Sequence, residues 1–382
     1  MLITRERLEH NERLTLAPYA CLAGESRGRI HDEPESAHRT AFQKDRDRVL
    51  HTSAFRRLEY KTQVFVNYEG DYYRTRLTHT LEVAQVGTSI ARALGLNEDL
   101  SETIALAHDL GHPPFGHSGE KALDTLTQDI GGFDHNRQSL RIVTELERRY
   151  AGFPGLNLSW ETLEGMMKHE TEYDAPDANW EPDSQPSLEA QVVNVADEVA
   201  YNAHDLDDGL RSGHLTPRQI AEVPLIGELM HRLGLDVNTM DSSGRYVLIR
   251  DLLGDVITDV IIATDARLAD AGVKDLADVR RHDSKLLGPS AAMERQLKDL
   301  KEFLYANFYF HFRLIRMSRK AFEILERLFN AYVKTPTMLP PDVQRQAEQL
   351  GLKRALTDYL SGMTDRYAND EYRRLFMPTA LT

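Results

Sequence analysis

An all-α fold with one short β-hairpin and a helical C-terminal extension is what this 382-residue sequence predicts. Apolar residues recur at helical spacing through most of the chain, only one segment alternates like a strand, and no shift of composition divides the chain. Leu81, Val83, Ala84, Val86, Ile90, Ala91 and Leu94 mark a first long helix that Gly95 closes. An apolar helix over 102–110 follows. Leu188, Val192, Val195, Ala196, Val199 and Ala203 trace another, ending near Gly209. Amphipathic runs over 248–271, 292–304, 313–333 and 343–367 supply the C-terminal extension. The strand signal is 60–66, which faces Tyr72-Tyr73-Arg74 across Glu69-Gly70, as in a hairpin. Loops fall at 174–187, rich in Pro, Asp and Asn, and at 334–342, with three prolines. The expected organisation is one large helical domain over 1–382, with a core of about 75–210 and a helical region of about 211–382.

Composition narrows the function classes. Cys21 is the single cysteine, which excludes a disulfide framework and a cysteine-based zinc site. Arg5, Glu6, Arg7 and Glu9 near the start leave no apolar stretch for a signal peptide. No apolar run approaches the roughly 20 residues that span a bilayer. A reducing compartment, the cytoplasm, is expected, with no membrane partner. The formal charge of −14 disfavours nucleic acid as the main partner, although an acidic protein still holds local basic pockets.

The densest chemistry lies between His108 and Glu120. Thirteen residues there hold three histidines and two carboxylates among small and turn-forming residues. Burying such groups costs several kcal/mol, on the order of the whole stability margin, unless a metal or a partner compensates. His108, Asp109 and His112 are spaced as on one helix that Pro113-Pro114 ends, which puts both imidazoles on one face. Neutral imidazole with carboxylate suits Zn, Mn, Fe or Ni rather than Ca. A lone His-Asp pair is usually structural, so two further segments matter. One is Arg74 to His79, whose histidine is either a metal ligand, with Arg76 on a phosphate, or an ordinary N-terminal histidine beside a solvated arginine, the better reading if this segment stood alone. The other carries Asn194, Asp197, Tyr201, Asp205 and Asp208, spaced as one stripe along a helix. A charged stripe is normally a solvated face. Here no lysine or arginine interleaves between Glu189 and Leu210, which suits the floor of a polar pocket instead.

His79, His108-Asp109 and Asp197 have the order of the H…HD…D signature, and the chain resembles the HD-domain phosphohydrolases. Phe55-Arg56-Arg57-Leu58, Lys61-Thr62-Gln63-Val64, Arg74 to His79, Gly111 to Glu120, Gly132 to Asn136, Ala196 to Tyr201 and Tyr359 to Tyr367 resemble the deoxyguanosine triphosphate triphosphohydrolase branch. The likeness runs from about Ser26 to Phe376 and is thinnest between Arg211 and Asp299. The chain is similar, more distantly, to the vertebrate deoxynucleotide triphosphohydrolase that carries an HD domain. His112-Pro113-Pro114 departs from the usual pattern only at its middle position.

The resemblance implies an HD-domain helical fold and makes His79, His108, Asp109 and Asp197 ligands of one divalent metal, Mn²⁺ or Fe²⁺, with Mg²⁺ accompanying the nucleotide. It implies that His117 protonates the departing 5′-oxygen, that Glu120 holds that imidazole, and that His135 completes the relay. Arg76 and His112 match phosphate contacts, and Arg57 and Lys168 are additions of the same chemistry. Asp205 would accept the sugar 3′-hydroxyl over Tyr201, and Gln63 and Val64 would crowd its 2′ edge. The expected reaction converts a dNTP and water into deoxynucleoside and triphosphate. Assembly into a homo-oligomer and single-stranded DNA as an effector are further implications. The alternatives are another HD phosphohydrolase or phosphodiesterase, and a nucleotide- or single-strand-binding scaffold with an inactive metal site.

Overall fold

Polar caps and glycines set the helix ends. In the computed structural model, which describes residues 2–63, 74–170 and 180–378, the chain is all-α, as its periodicity predicts. The described residues contain no named strand, only the isolated bridges Arg29–Ser159, Thr62–Thr75 and Arg148–Gly155. Leu58–Tyr60 forms a 3₁₀ turn, so the expected strand does not begin at Tyr60. Most of the expected hairpin, Val64 included, lies outside the described residues. The chain divides into two compact units: Met1–Val49, His79–Leu106 and Leu156–His311 make the first, and Leu50–Thr78, Ala107–Gly155 and Phe312–Thr382 the second.

The first unit is organised by the helix Leu188–Arg211. Ser187 caps it by accepting the Ala190 N–H, which satisfies one of the donors a helix start leaves open. Leu188, Val192, Val193, Ala196, Val199, Ala203 and Leu206 are buried along it. Trp160–Met167, Ser242–Asp270 and Ala291–Leu304 pack against it. Gly165 permits close packing, because a Cβ there would lie 2.3 Å from Ile104 Cδ1.

In the second unit the helix Phe312–Lys334 lies on Gly116–Thr127. Its core joins Phe115, Leu123, Phe133, Leu325, Leu328, Phe329, Leu356 and Leu360. Burying each leucine or phenylalanine contributes roughly 1.5–3 kcal/mol. The expected single helix over 343–367 is instead three: Pro341–Leu350, Leu352–Ser361 and Asp365–Phe376. Gly351, at φ 86°, makes the first break, and Thr364 starts the last helix by accepting the Tyr367 N–H. Apolar periodicity runs through both breaks because Val343, Leu356, Leu360 and Ala368 all face one core.

Candidate active site

The helix Glu98–Ala107 gives way at His108, in the second unit, to a 3₁₀ turn, His108–Gly111, and His112 leaves it with ψ 134°. The expected α-helix through His112 is therefore corrected. Gly111 supplies a physical reason. A Cβ there would stand 2.2 Å from the His135 carbonyl oxygen and 2.3 Å from the Ser139 nitrogen, so the turn packs backbone to backbone on His135–Arg141. Ser139 Oγ locks the contact, donating to the His108 carbonyl at 2.7 Å and accepting the Gly111 N–H at 2.8 Å.

That turn gathers charge around Asp109. His112 Nε2 lies 3.1 Å and His108 Nε2 3.5 Å from Oδ1, while Arg76 Nη1 donates to Oδ2 at 2.9 Å. All four side chains are buried. Burial pushes the Asp109 carboxyl up, but Arg76, His108 and His112 overcome it and hold it well below its usual range. Burial, with Arg76 and His135 alongside, keeps the His112 imidazole neutral, well below its ordinary pKa. His112 stacks on His135 at 3.7 Å. Two buried nitrogens here, Arg76 Nε and His112 Nδ1, have no hydrogen-bond partner among the described residues; the first is a donor, and the second, on a neutral ring whose Nε2–H faces Asp109, is an acceptor. An unmet buried polar atom costs about 1–3 kcal/mol, so a ligand atom that meets it is favoured.

Beside it, Glu120 joins two histidines. Its Oε2 lies 3.2 Å from His117 Nδ1, and its Oε1 is 2.8 Å from His135 Nδ1 and accepts the His135 N–H at 2.9 Å. Burial opposes its charge, yet His135 and the two imidazole hydrogen bonds hold its carboxyl far below the usual range. His117 is exposed, and His135 is buried. The arrangement is an ionised carboxylate that orients an accessible imidazole. Asp109, His112 and His135, and likewise His112, His117 and Glu120, present ligand atoms within 4.8 Å of one another. An N/O donor set of imidazoles and carboxylates fits a divalent metal.

In the first unit, the stripe on Leu188–Arg211 is not a solvated face. Asn194, Asp205 and Asp208 are buried, and Asp197 and Tyr201 are half-buried. Asp197 Oδ1 lies 2.8 Å from His79 Nε2, and its Oδ2 lies 3.5 Å from His169 Nε2. His204, two turns beyond Asp197, sets its Nε2 2.8 Å from Glu82 and its Nδ1 3.3 Å from His79 Nδ1. Tyr201 lies parallel to Tyr309 at 6.3 Å. His169 and His204 carry no role in the sequence expectation. The seven-residue spacing from Asp197 to His204 was the available signal, and nothing local marks His169.

The expected ligands thus fall two in each unit, His79 with Asp197 and His108 with Asp109. The further phosphate candidates are engaged elsewhere. Lys168 Nζ lies 3.2 Å from Glu164 and donates to Ser184 O and Oγ at 2.8 Å each, and exposed Arg57 donates to the Gly362 carbonyl at 2.9 Å. Gln63 is half-buried, and its Oε1 has no partner among the described residues.

The HD domain family matches residues 76–202, and the phosphohydrolase-associated domain matches residues 287–374. The chain is 51% identical over 381 residues to a deoxyguanosinetriphosphate triphosphohydrolase-like protein of Geobacter sulfurreducens, covering 99% of both chains. It is 50% identical to proteins of the same description from Geobacter metallireducens, over 96% of both chains, and from Azoarcus sp., over 94% of this chain and 96% of that one.

Proposed function

The chain belongs to the deoxyguanosinetriphosphate triphosphohydrolase-like family of HD-domain proteins, and from that membership we propose that it hydrolyses a deoxynucleoside triphosphate to deoxynucleoside and triphosphate. The observation that supports this reading most is the pairing of an unmet buried guanidinium donor with a proton relay. The buried Arg76 Nε suits an anion at the place where Glu120 orients the accessible His117. Guanidinium N–H groups are phosphate-binding chemistry.

In this reading His79, His108, Asp109 and Asp197 are the ligands of one divalent ion. Bound there, the ion supplies Lewis acidity to a phosphoryl oxygen and lowers the pKa of water. Arg76 and His112 hold the phosphates. Water oxygen bonds to the α-phosphorus as the bond from phosphorus to the 5′-oxygen breaks, and His117 gives its proton to that oxygen. Glu120 keeps the imidazole oriented, with His135 fixing the carboxylate from its other side. Gln63, Val64, Tyr201 and Asp205 read the sugar, so a deoxyribose is preferred to a ribose. Mn²⁺ or Fe²⁺ as the ion, Mg²⁺ with the nucleotide, a homo-oligomer, single-stranded DNA as effector and a cytoplasmic location are carried by the same reading. Elemental analysis and light scattering check the first and third.

The deciding experiment incubates the metal-loaded protein with the four dNTPs and GTP in ¹⁸O-water and resolves the products. Label in intact triphosphate, with deoxynucleoside released, is expected. Pyrophosphate with monophosphate, or label in the 5′-hydroxyl, overturns the reading. Discrimination against GTP is expected to reach about 10-fold from a steric wall and more where a buried hydrogen bond is lost.

A further inference from the structure

The helix that carries His117 and Glu120, Gly116–Thr127, begins in an uncomfortable way. Phe115 precedes it with φ 67° and ψ 22°, in the left-handed region that a non-glycine residue avoids, and no side chain of its own caps the helix. Gly116 follows with φ 57°. A turn of this kind persists only where its surroundings over-determine it. The surroundings here are polar, buried and distant in sequence. Asp365, 1% exposed and the first residue of Asp365–Phe376, accepts the Phe115 N–H through Oδ1 at 2.9 Å. Its Oδ2 accepts the Thr62 N–H at 3.0 Å and the Thr62 hydroxyl. One residue earlier, buried Lys61 donates from Nζ to the His112 carbonyl at 2.5 Å and to the Ser361 carbonyl at 3.2 Å. The two side chains therefore tie down both ends of the turn from His112 to Phe115.

We infer that Asp365, supported by Thr62 and Lys61, is a positioning residue that sets the left-handed Phe115–Gly116 turn and through it the aim of His117 as proton donor. The inference rests on the reading of His117 given above. It assigns a task in that reaction to the phosphohydrolase-associated segment, whose match at residues 287–374 includes Asp365. A buried carboxylate with three donors, all from two short segments, is more than packing requires. Asp365 touches neither reacting atoms nor phosphate in this scheme; it acts through backbone placement alone.

The test separates aim from folding by changing the leaving group. In dGTP the departing 5′-oxygen needs a proton. In the analogue with sulfur in place of that 5′-oxygen, the thiolate departs without one. The full-length, metal-loaded parent and the variants Asp365→Asn and His117→Ala are assayed on both substrates. Asp365→Asn is expected to lower kcat on dGTP about 10- to 100-fold, with KM within about two-fold and near-parent rates on the thio analogue. His117→Ala is expected to show the same rescue. If Asp365→Asn slows both substrates equally, or neither, the positioning role is wrong while the His117 reading stands. If His117→Ala is itself not rescued, the proton-donor reading fails and takes the inference with it. Thr62→Val removes only the hydroxyl donor and is expected to give a smaller version of the same split. It decides the matter if Asp365→Asn does not fold.

Discussion

At the scale of single residues, the charge state of the relay is set by what each group faces. Glu120 is ionised because two imidazoles surround it, so a loss at His117 leaves the carboxylate still held by His135. His117→Ala is accordingly expected to fold normally and retain metal, while kcat falls by about 10²- to 10⁴-fold. Steady-state kinetics with elemental analysis measure both. A second residue tests electrostatics away from the site. Burial pushes the Glu12 carboxyl from 4.5 up to about 7, against hydrogen bonds from the Ala23 N–H and Asn97. The folded state then binds that proton more tightly than the unfolded chain does. The stability it contributes is full below about pH 4.5 and is lost as pH rises through about 7. Glu12→Gln, which cannot ionise, is expected to flatten the decline of Tm across that window. An unchanged slope would show that Glu12 titrates normally.

At the scale of elements, backbone contact decides where helices stop. The 3₁₀ turn at His108–Gly111 exists against His135–Arg141, and Gly111 leaves no space for a methyl group there. Gly111→Ala must drive the two backbones apart, since the obstructing atoms belong to the His135 carbonyl and the Ser139 amide. A loss of about 1–3 kcal/mol is expected from the overpacking. A further fall in kcat is expected as the stacked His112 and His135 rings separate. Urea midpoints and kinetics on the same preparation distinguish the two effects. Gly111→Ala with parental stability and activity would mean the turn is not so confined.

At the scale of the whole molecule, each unit is assembled from three separate stretches of chain. The second needs its last stretch for a core, because Leu325, Leu328, Phe329, Leu356 and Leu360 pack with Phe115, Leu123 and Phe133. A chain ending at His311 is therefore expected to lose that core and all hydrolysis. Circular dichroism and limited proteolysis would report residues 50–78 and 107–155 as unfolded. A protected, active truncated chain would contradict this account. Among the described residues no helix is long and apolar enough to cross a membrane.

The sequence by itself determined the all-α class, the order of His79, His108-Asp109 and Asp197, and the polar stripe on Leu188–Arg211. Those are local properties: helical periodicity needs only neighbours three and four apart, and ligand chemistry resides in side-chain identity. The breaks at Gly351 and at 362–364 escaped because one core faces all three helices, so the apolar pattern never lapses. Tertiary structure alone decided that Lys168 is engaged by Glu164 and Ser184, and that Arg57 serves the Gly362 carbonyl. It alone brought His169 to Asp197, and Asp365 to Phe115 across 250 residues. A buried polar group takes whichever partner packing brings within about 3 Å, and that choice is made by segments far apart in the chain.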